Sequence, residues 1–142
     1  MYLLFYLFLT ILTVAFMELF AIFAHKYIMH GPGWFLHKSH HEKNNNKTEL
    51  NDLYFVIFSL PSIYFIVKGI LIENYIFLSI GIGILFYGII YILLHDIFVH
   101  KRFGFNINFK NSIFKKIKVS HRKHHNSRTK DNCTNFGFIY YK

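Results

Sequence analysis

The hydrophobic pattern of the chain consists of three long apolar segments separated by polar ones. Each segment has about 20 residues, and a helix that rises 1.5 Å per residue crosses the hydrocarbon core of a bilayer over that length. The predicted spans run from Tyr2 to Ala24, from Leu53 to Ile72 and from Tyr75 to Leu94. The sequence therefore predicts an all-α integral membrane protein with a single membrane-embedded domain over residues 1–142.

Glycine and proline residues predict where these helices break or pack closely. The stretch HGPGWF, residues 30–35, is expected to end the helix that follows the first span. Pro61 lies inside the second span, where membrane helices tolerate a kink. Gly81, Gly83 and Gly88 lie in the third span and predict close contact with a neighbouring helix.

The distribution of charge predicts how the chain crosses the membrane. The formal net charge is +9, but no Lys or Arg precedes Lys26, so the first span is interpreted as a retained anchor and not as a signal peptide. Lys68, near the end of the second span, is the only Lys or Arg in residues 53–94. Because Lys and Arg favour the cytoplasmic side, residues 25–52 and 95–142 are both expected there, with the protein in the cell (inner) membrane.

The basic residues do not favour nucleic acid as a partner. No soluble module is evident that would carry them, and basic segments beside membrane spans more often meet anionic lipid head groups. A fourth, partly inserted helix around Asn106 to Val119 is left open by the pattern. Three spans are therefore expected, with a fourth helix as the alternative.

All ten histidines fall into two copies of one spacing pattern, HxxxxH followed by HxxHH, within residues 25–41 and 95–125. In HxxHH the histidines are three and four positions apart, so on a helix their imidazoles share one face. In HxxxxH the separation corresponds to about 140° on an α-helix, so both rings cannot point the same way on one regular helix. We therefore expect that the helix ends there, or that the two rings approach a metal pair from different sides.

The repeat predicts a centre with two metal ions. Imidazole is a common ligand for iron, zinc and copper, and ten rings supply two metals with about five each. Cys133 is the only cysteine, so a site of several thiolates is excluded. Interfacial histidines, or a nonspecific metal-binding tail, would be scattered or would form one run. The predicted metal ligands are His25, His30, His37, His40, His41, His95, His100, His121, His124 and His125.

Four polar residues are candidates to orient these imidazoles by accepting a hydrogen bond from them. Glu18 lies inside the first span, where an ionisable side chain indicates a function, and it precedes His25 by seven positions, two helical turns along the same face. Asp96 follows His95 directly, and Asn51 and Asp52 precede the second span. Such outer hydrogen bonds fix the orientation of ligand imidazoles in metal sites.

The histidine motifs resemble those of the membrane fatty-acid hydroxylase and desaturase-like group. The finer resemblance, over most of the chain from Met17 to Phe138, is to bacterial β-carotene hydroxylases. It rests on MELFAIFAHKYIMHGPGWFLHKSHH, ELND, YGIIYILLHDIFVHKRFG and HRKHHNSRTKDNCTNFGF, in this order. The stretches MHGPGW and FGF point to these enzymes more narrowly than the histidine boxes do.

The resemblance implies a non-haem di-iron monooxygenase that hydroxylates C3 of β-ionone rings, converting β-carotene through β-cryptoxanthin into zeaxanthin. It also implies two Fe ions on the ten histidines, O₂ as co-substrate, and ferredoxin with its reductase as electron donors. Trp34, Phe35, Tyr87 and Tyr91 are candidates to line the ring pocket. The alternatives are a fatty-acid or sterol-type hydroxylase or desaturase, and a membrane metal transporter. A transporter should place polar ligands near the bilayer midplane, whereas every histidine here lies at or beyond the end of a span.

Overall fold

The computed structural model describes residues 2–42, 48–105, 107 and 109–140, and this part of the chain is helical with no β-strand. Its five α-helices are α1 (Tyr2–Phe23), α2 (Trp34–His41), α3 (Asp52–Leu71), α4 (Tyr75–Tyr91) and α5 (Ser112–His125). Two π-helical segments continue the long helices directly: π1 (Ala24–Met29) follows α1, and π2 (Ile92–Val99) follows α4. A short 3₁₀ turn covers Arg102–Gly104.

Three helices are long and apolar enough to cross a membrane, which confirms the predicted number of spans within the described residues. They run over Tyr2–Met29, Asp52–Leu71 and Tyr75–Val99, so the first and third extend about five residues beyond the predicted ends because π1 and π2 continue them. The proposed fourth helix is α5, which begins only at Ser112 and is not among the candidate spans. Asn106 and Asn108, where its start was expected, lie outside the described residues.

Helix α4 packs against both α1 and α3, and glycines make these contacts close. A Cβ added at Gly81 would lie 2.8 Å from the backbone nitrogen of Ile66 in α3. A Cβ added at Gly83 would lie 2.9 Å from the carbonyl oxygen of Thr10 in α1. Gly88 is different, because the nearest atom to an added Cβ there is 4.0 Å away. Close packing is therefore confirmed at Gly81 and Gly83. At Gly88 the distance between α4 and its neighbouring helices is larger.

The connectivity brings both histidine segments to one end of this bundle. α1 and α4 each end at a histidine segment. α3 begins at the same end of the bundle, because its first residue, Asp52, follows the first histidine segment by only about ten residues. The tyrosine hydroxyl of Tyr54 in α3 donates to the carbonyl oxygen of Gly33 at 2.8 Å and ties the first segment to the bundle. The outer faces of the three spans carry exposed Leu, Ile and Phe side chains, as expected for contact with lipid.

Candidate metal centre

Both HxxxxH pairs lie on the wide turns π1 and π2. The amide of His30 donates to the carbonyl of His25 at 3.0 Å, and the amide of His100 donates to the carbonyl of His95 at 2.9 Å. These hydrogen bonds join residues five positions apart, as in a π-helix, so the two residues lie about one turn apart on the same side. The ring centroids are 5.2 Å apart in the first pair and 4.6 Å apart in the second.

Of the two expectations for HxxxxH, the first is confirmed, because π1 ends at Met29 and π2 ends at Val99, so that the second histidine of each pair caps the helix. The second is wrong, because both rings of a pair belong to the same histidine group. The angle of about 140° applies to an α-helical turn, whereas a π-helical turn changes the angular spacing. Such turns are frequent at functional sites.

The break between the first pair and the first HxxHH lies where the sequence predicts it. The carbonyl of Ile28 accepts the amide of Gly33 at 2.8 Å, so the chain closes a tight turn after π1. A Cβ on Gly33 would overlap the hydroxyl oxygen of Tyr54, so only glycine fits here. Helix α2 then begins at Trp34 and presents its three histidines, all buried, to the centre.

Nine of the ten imidazoles form two groups at this end of the bundle. The first group consists of His25, His30, His37, His41 and His124. The second group consists of His40, His95, His100 and His121. Within each group the potential ligand atoms lie within 4.8 Å of one another, close enough to surround a single metal ion. The ring of His125 lies between the groups: it stacks on His41 of the first at 4.5 Å and lies 4.6 Å from His40 and 4.5 Å from His121 of the second.

The two sequence repeats exchange their middle HxxHH residues between these groups. His40 comes from the first repeat but belongs to the second group, and His124 comes from the second repeat but belongs to the first group. On a helix, the first and last histidines of HxxHH are about one turn apart and face the same metal position. The middle histidine is displaced to one side of them. Each group is therefore built from both halves of the chain.

The ring nitrogens of the first group are oriented mainly by backbone carbonyls. We define the C-terminal segment as residues 126–140. Its carbonyl oxygens accept hydrogen bonds from the Nδ1 atoms of four of the five histidines, at distances between 2.8 and 3.1 Å. The pairs are His25 with Phe136, His30 with Lys130, His41 with Ser127, and His124 with Thr134. The fifth histidine, His37, donates from Nδ1 to Oδ1 of Asn51 at 2.7 Å.

The second group is oriented by carboxylates instead. Nδ1 of His40 donates to Glu49 at 2.9 Å, and Nδ1 of His95 donates to Asp96 at 2.8 Å. Arg102 forms a two-pronged ion pair with Asp52, with both distances at 2.7 Å, and lies 3.6 Å from Asp96. Charge-assisted bonds of this bidentate kind are among the stronger ones in proteins.

The arrangement of the Nε2 atoms fits bound metal. Seven histidines donate from Nδ1 to an oxygen that carries no hydrogen, so each neutral ring has a lone pair on Nε2. These Nε2 atoms nevertheless face one another, at 3.0 Å between His25 and His37 and at 3.1 Å between His40 and His95. Two lone pairs cannot form a hydrogen bond, but both can bind one cation. The buried Nε2 of His125 also has no hydrogen-bond partner among the described residues.

Burial keeps these rings in the neutral form that metal binding needs. It lowers the pKa of His37 to about 3, against the smaller opposing effect of the Asn51 hydrogen bond. Burial likewise lowers the pKa of His124 to about 3 and that of His125 to about 2. Neighbouring imidazoles lower these values further, since a second positive charge in the group is unfavourable.

The predicted orienting residues have different partners. Asp96 and Asn51 bond to ligand-candidate histidines as expected, whereas Asp52 bonds to Arg102. The oxygens of Glu18 accept hydrogen bonds from the C-terminal segment and from Tyr87, so its connection to His25 is indirect, through that segment.

Sequence reasoning did not single out Glu49, Arg102 or the carbonyl groups of the C-terminal segment. Glu49 belongs to the stretch ELND, and its position two residues before Asn51 was the available signal. Backbone carbonyls carry no sequence signal at all, because every residue has one. Only the folded chain shows which of them meet an imidazole.

A mostly apolar cavity of about 320 Å³ leads from the histidines into the bundle between α1, α3 and α4. Its walls include Phe20 of α1, Phe58 of α3 and Gly88 of α4, and its end is formed by His25, His37, His95 and His121. The volume is in the usual range for a small-molecule site. Of the aromatic residues proposed from the sequence, Tyr87 and Tyr91 line the cavity, while Trp34 and Phe35 are not among its lining residues.

Comparisons with known proteins agree with this site. The fatty acid hydroxylase family matches residues 10–141. The β-carotene hydroxylase of Pantoea ananas is 43% identical over 128 residues, which are 90% of this chain and 73% of that protein. The β-carotene hydroxylase of Paracoccus sp. (strain PC1) is 42% identical over 90% of this chain and 79% of its own length.

A plant-type relative is more distant. The chloroplastic β-carotene 3-hydroxylase of Haematococcus lacustris is 36% identical over 79% of this chain and 36% of its own length. No solved structure matches the chain. The family match covers all ten histidines and all three spans from residue 10 onwards. The chain therefore belongs to the fatty acid hydroxylase family, and within it is related to bacterial β-carotene hydroxylases.

Proposed function

We propose that the chain, acting as one hydroxylase domain over residues 1–142, is a carotenoid hydroxylase that adds hydroxyl groups at C3 of β-ionone rings. β-Carotene would be converted through β-cryptoxanthin into zeaxanthin. The observation that carries this proposal is the apolar cavity that ends directly at the two histidine groups. The relatives named as β-carotene hydroxylases, which match nine tenths of the chain, support the choice of substrate.

The proposed cofactor is a pair of non-haem Fe ions, one held by each histidine group. Neutral imidazole suits Fe(II) and leaves positions open for O₂, and the chain has a single cysteine, too few for a thiolate set. Bound iron would supply the activation of O₂ needed to oxidise an unactivated C–H bond, which acid–base chemistry cannot do. His25, His30, His37, His41 and His124 would hold one ion, and His40, His95, His100, His121 and His125 the other.

The chain itself would bind and orient the substrate. A carotenoid is about as long as a bilayer is thick, so it can lie beside the spans while one ring enters the cavity. The side chains of Phe20 and Phe58, with ring centroids 5.8 Å apart, form part of the apolar wall for that ring. Nearer the histidines, Tyr91 lines the cavity, and its hydroxyl lies 3.3 Å from Nε2 of His95.

We also propose that the histidine end of the bundle faces the cytoplasm in the cell (inner) membrane, where reduced ferredoxin and its reductase can supply electrons. Helix α5 carries five cationic side chains outside its histidines, and most of them are exposed. Opposite charge on an acidic donor would raise the rate of encounter. Anionic lipid head groups would be attracted by the same residues. Turnover that falls with added salt when the donor is soluble supports donor docking, and salt-independent turnover supports lipid contact.

The direct test is expression in cells that make β-carotene, with pigments and iron measured. The parent chain should yield zeaxanthin, and His40→Ala and His124→Ala should each abolish it, because each removes one ring from a different group. Val119→Ala is a matched control on the exposed side of α5, outside the cationic residues, and should retain activity. Unchanged hydroxylation in either histidine variant would overturn the ligand assignment.

The same experiment addresses the alternative within the family. The family description, fatty acid hydroxylase, favours an acyl or sterol substrate as the second candidate. Iron bound to the parent without any 3-hydroxylated carotenoid would support that candidate. A metal transporter is less consistent with the structure, because the histidine groups lie at one end of the bundle and not at its middle.

A further inference from the structure

The C-terminal segment, residues 126–140, contains no helix or strand, yet its backbone contacts the first histidine group repeatedly. Its carbonyl oxygens accept the Nδ1 hydrogens of His25, His30, His41 and His124. The orientation of four of the five rings in that group thus depends on the position of one irregular segment. An irregular segment needs an external contact to fix that position, because it has no hydrogen-bond ladder of its own.

Glu18 supplies this contact from inside helix α1. Its Oε1 atom accepts three consecutive backbone amides, from Phe138 at 2.9 Å, Ile139 at 2.8 Å and Tyr140 at 2.9 Å. Its Oε2 atom accepts the hydroxyl of Tyr87 at 2.9 Å. Only 8% of Glu18 is exposed. A buried carboxylate needs such donors, and consecutive amides that converge on one oxygen are a strong anion-binding arrangement.

Gly137 allows the segment to turn around this carboxylate. A Cβ added at Gly137 would overlap the carbonyl oxygen of Tyr140, which is backbone and cannot move aside cheaply. The turn therefore depends on two residues: Gly137 leaves room for the carbonyl oxygen of Tyr140, and Glu18 accepts the backbone amides. It lies directly after Phe136, whose carbonyl oxygen binds Nδ1 of His25 at 2.9 Å.

The second histidine group does not take the hydrogen bonds that orient its rings from this segment. Nδ1 of His40 donates to Glu49, three residues before α3, and Nδ1 of His95 donates to Asp96 in π2. Asp96 in turn lies 3.6 Å from Arg102. The segment meets this group through the ring of Phe138, whose centroid lies 5.4 Å from that of His95, a packing contact that does not fix a ring nitrogen.

We propose that Glu18 is a positioning residue that anchors the C-terminal segment, and that this anchor gives the first histidine group, but not the second, its geometry for binding metal. The proposal rests on the two-metal function proposed above. It predicts that release of the segment removes one metal ion and leaves the other bound. Glu18 does not touch the reacting groups, so its effect on hydroxylation would follow from that loss.

The test uses full-length protein in detergent, loaded with ⁵⁷Fe(II), and compares the parent with Glu18→Leu, Glu18→Gln and Gly137→Ala. Iron per chain and the number of iron environments seen by Mössbauer spectroscopy report on the two groups. The reaction of Cys133 with a maleimide reports on the segment, because this half-buried thiol is the only cysteine and its Sγ lies 3.5 Å from the carbonyl oxygen of Thr129. Glu42→Leu, which removes an exposed carboxylate on α2's C-terminal side, is the matched control.

We expect two irons per chain in the parent and in Glu42→Leu, and one in Glu18→Leu and Gly137→Ala. Losing one outer partner typically weakens metal binding about 10- to 100-fold, and here four rings lose theirs together. Maleimide labelling of Cys133 should be at least about tenfold faster in these two variants, because release of the segment exposes the thiol. Glu18→Gln keeps an oxygen that accepts the amides and should fall between them and the parent.

If Glu18→Leu does not fold, Gly137→Ala still tests the proposal, because residue 137 lies outside the spans. Two irons per chain in Gly137→Ala, with fast labelling of Cys133, would overturn the proposal. Equal loss of both irons in the variants would overturn it as well. A parent chain that binds no stoichiometric iron would instead contradict the proposed function, so the two failures are distinguishable.

Discussion

Gly88 is the position where a small change should separate catalysis from stability. It lies seven residues before His95 on α4, two helical turns or about 10 Å below the histidines, and lines the cavity. An added Cβ there would have only Phe55 as a neighbour, at 4.0 Å, which is ordinary van der Waals contact. A larger side chain at this position should therefore occupy the cavity without disturbing the protein around it.

A larger side chain at Gly88 should raise the stability of the protein and lower its activity. Replacing a helical glycine by alanine without a clash raises the free energy of unfolding by about 0.5–1 kcal/mol. In the cavity, one extra carbon should reduce the rate about tenfold, in line with the effect of one methylene on a hydrophobic pocket. Gly88→Val places three carbons in a space of about 320 Å³. Because a displacement of about 1 Å from the reactive position costs about 100-fold, hydroxylation should fall by at least that factor.

The assay compares zeaxanthin formation, bound iron and thermal unfolding in detergent for Gly88→Ala, Gly88→Val and Gly83→Ala. Both Gly88 variants should keep their iron, and neither should lose thermal stability. Gly83→Ala should instead lose about 1–3 kcal/mol, because its Cβ would lie 2.6 Å from Cβ of Thr13. Parent-like hydroxylation in Gly88→Val, or loss of iron in Gly88→Ala, would refute the assignment of this cavity to the substrate.

Two further predictions concern the histidine groups. Asn51→Leu removes the oxygen that accepts the hydrogen bond from Nδ1 of His37 at 2.7 Å. The affinity for iron, measured in competition with a chelator, should fall about 10- to 100-fold. An unchanged affinity would show that His37 needs no such partner. In the metal-free protein, burial holds the pKa of His37 and His124 near 3, below the 6.5 of an exposed histidine, so the unfolded chain binds more protons between these values. Thermal stability of the metal-free protein should therefore be complete above about pH 6.5 and fall as the pH is lowered towards 3; a melting temperature that is constant or rises on acidification would contradict this.

Much of the fold followed from local patterns. The three spans were predictable because lipid imposes a minimum apolar length, and the break at residues 31–33 was predictable because Gly and Pro restrict or free the backbone locally. The ends of the first and third spans were missed by about five residues, since π1 and π2 differ from an α-helix only in which hydrogen bonds the backbone forms.

The histidines show the same division. Their number and repeated spacing predicted a two-metal site, because ten copies of one ligand type at repeated intervals have few other uses. The exchange of His40 and His124 between the groups was not predictable, since it depends on how α2 and α5 face each other. Glu18 was singled out as unusual within a span, but its partners, Tyr87 at 69 residues and Phe138 at 120 residues along the chain, were not visible in the sequence.

The sequence by itself determined the membrane spans, the repeated histidine motifs and the family, because each depends on residue type and short-range spacing. The tertiary structure alone decided how the histidines divide between two groups, which carbonyls and carboxylates orient them, and where the apolar cavity lies. Those features depend on contacts between distant parts of the chain, such as Glu18 with Phe138 and His40 with His95. Backbone carbonyls are the same at every residue, so only the folded chain could select the four that orient the first group.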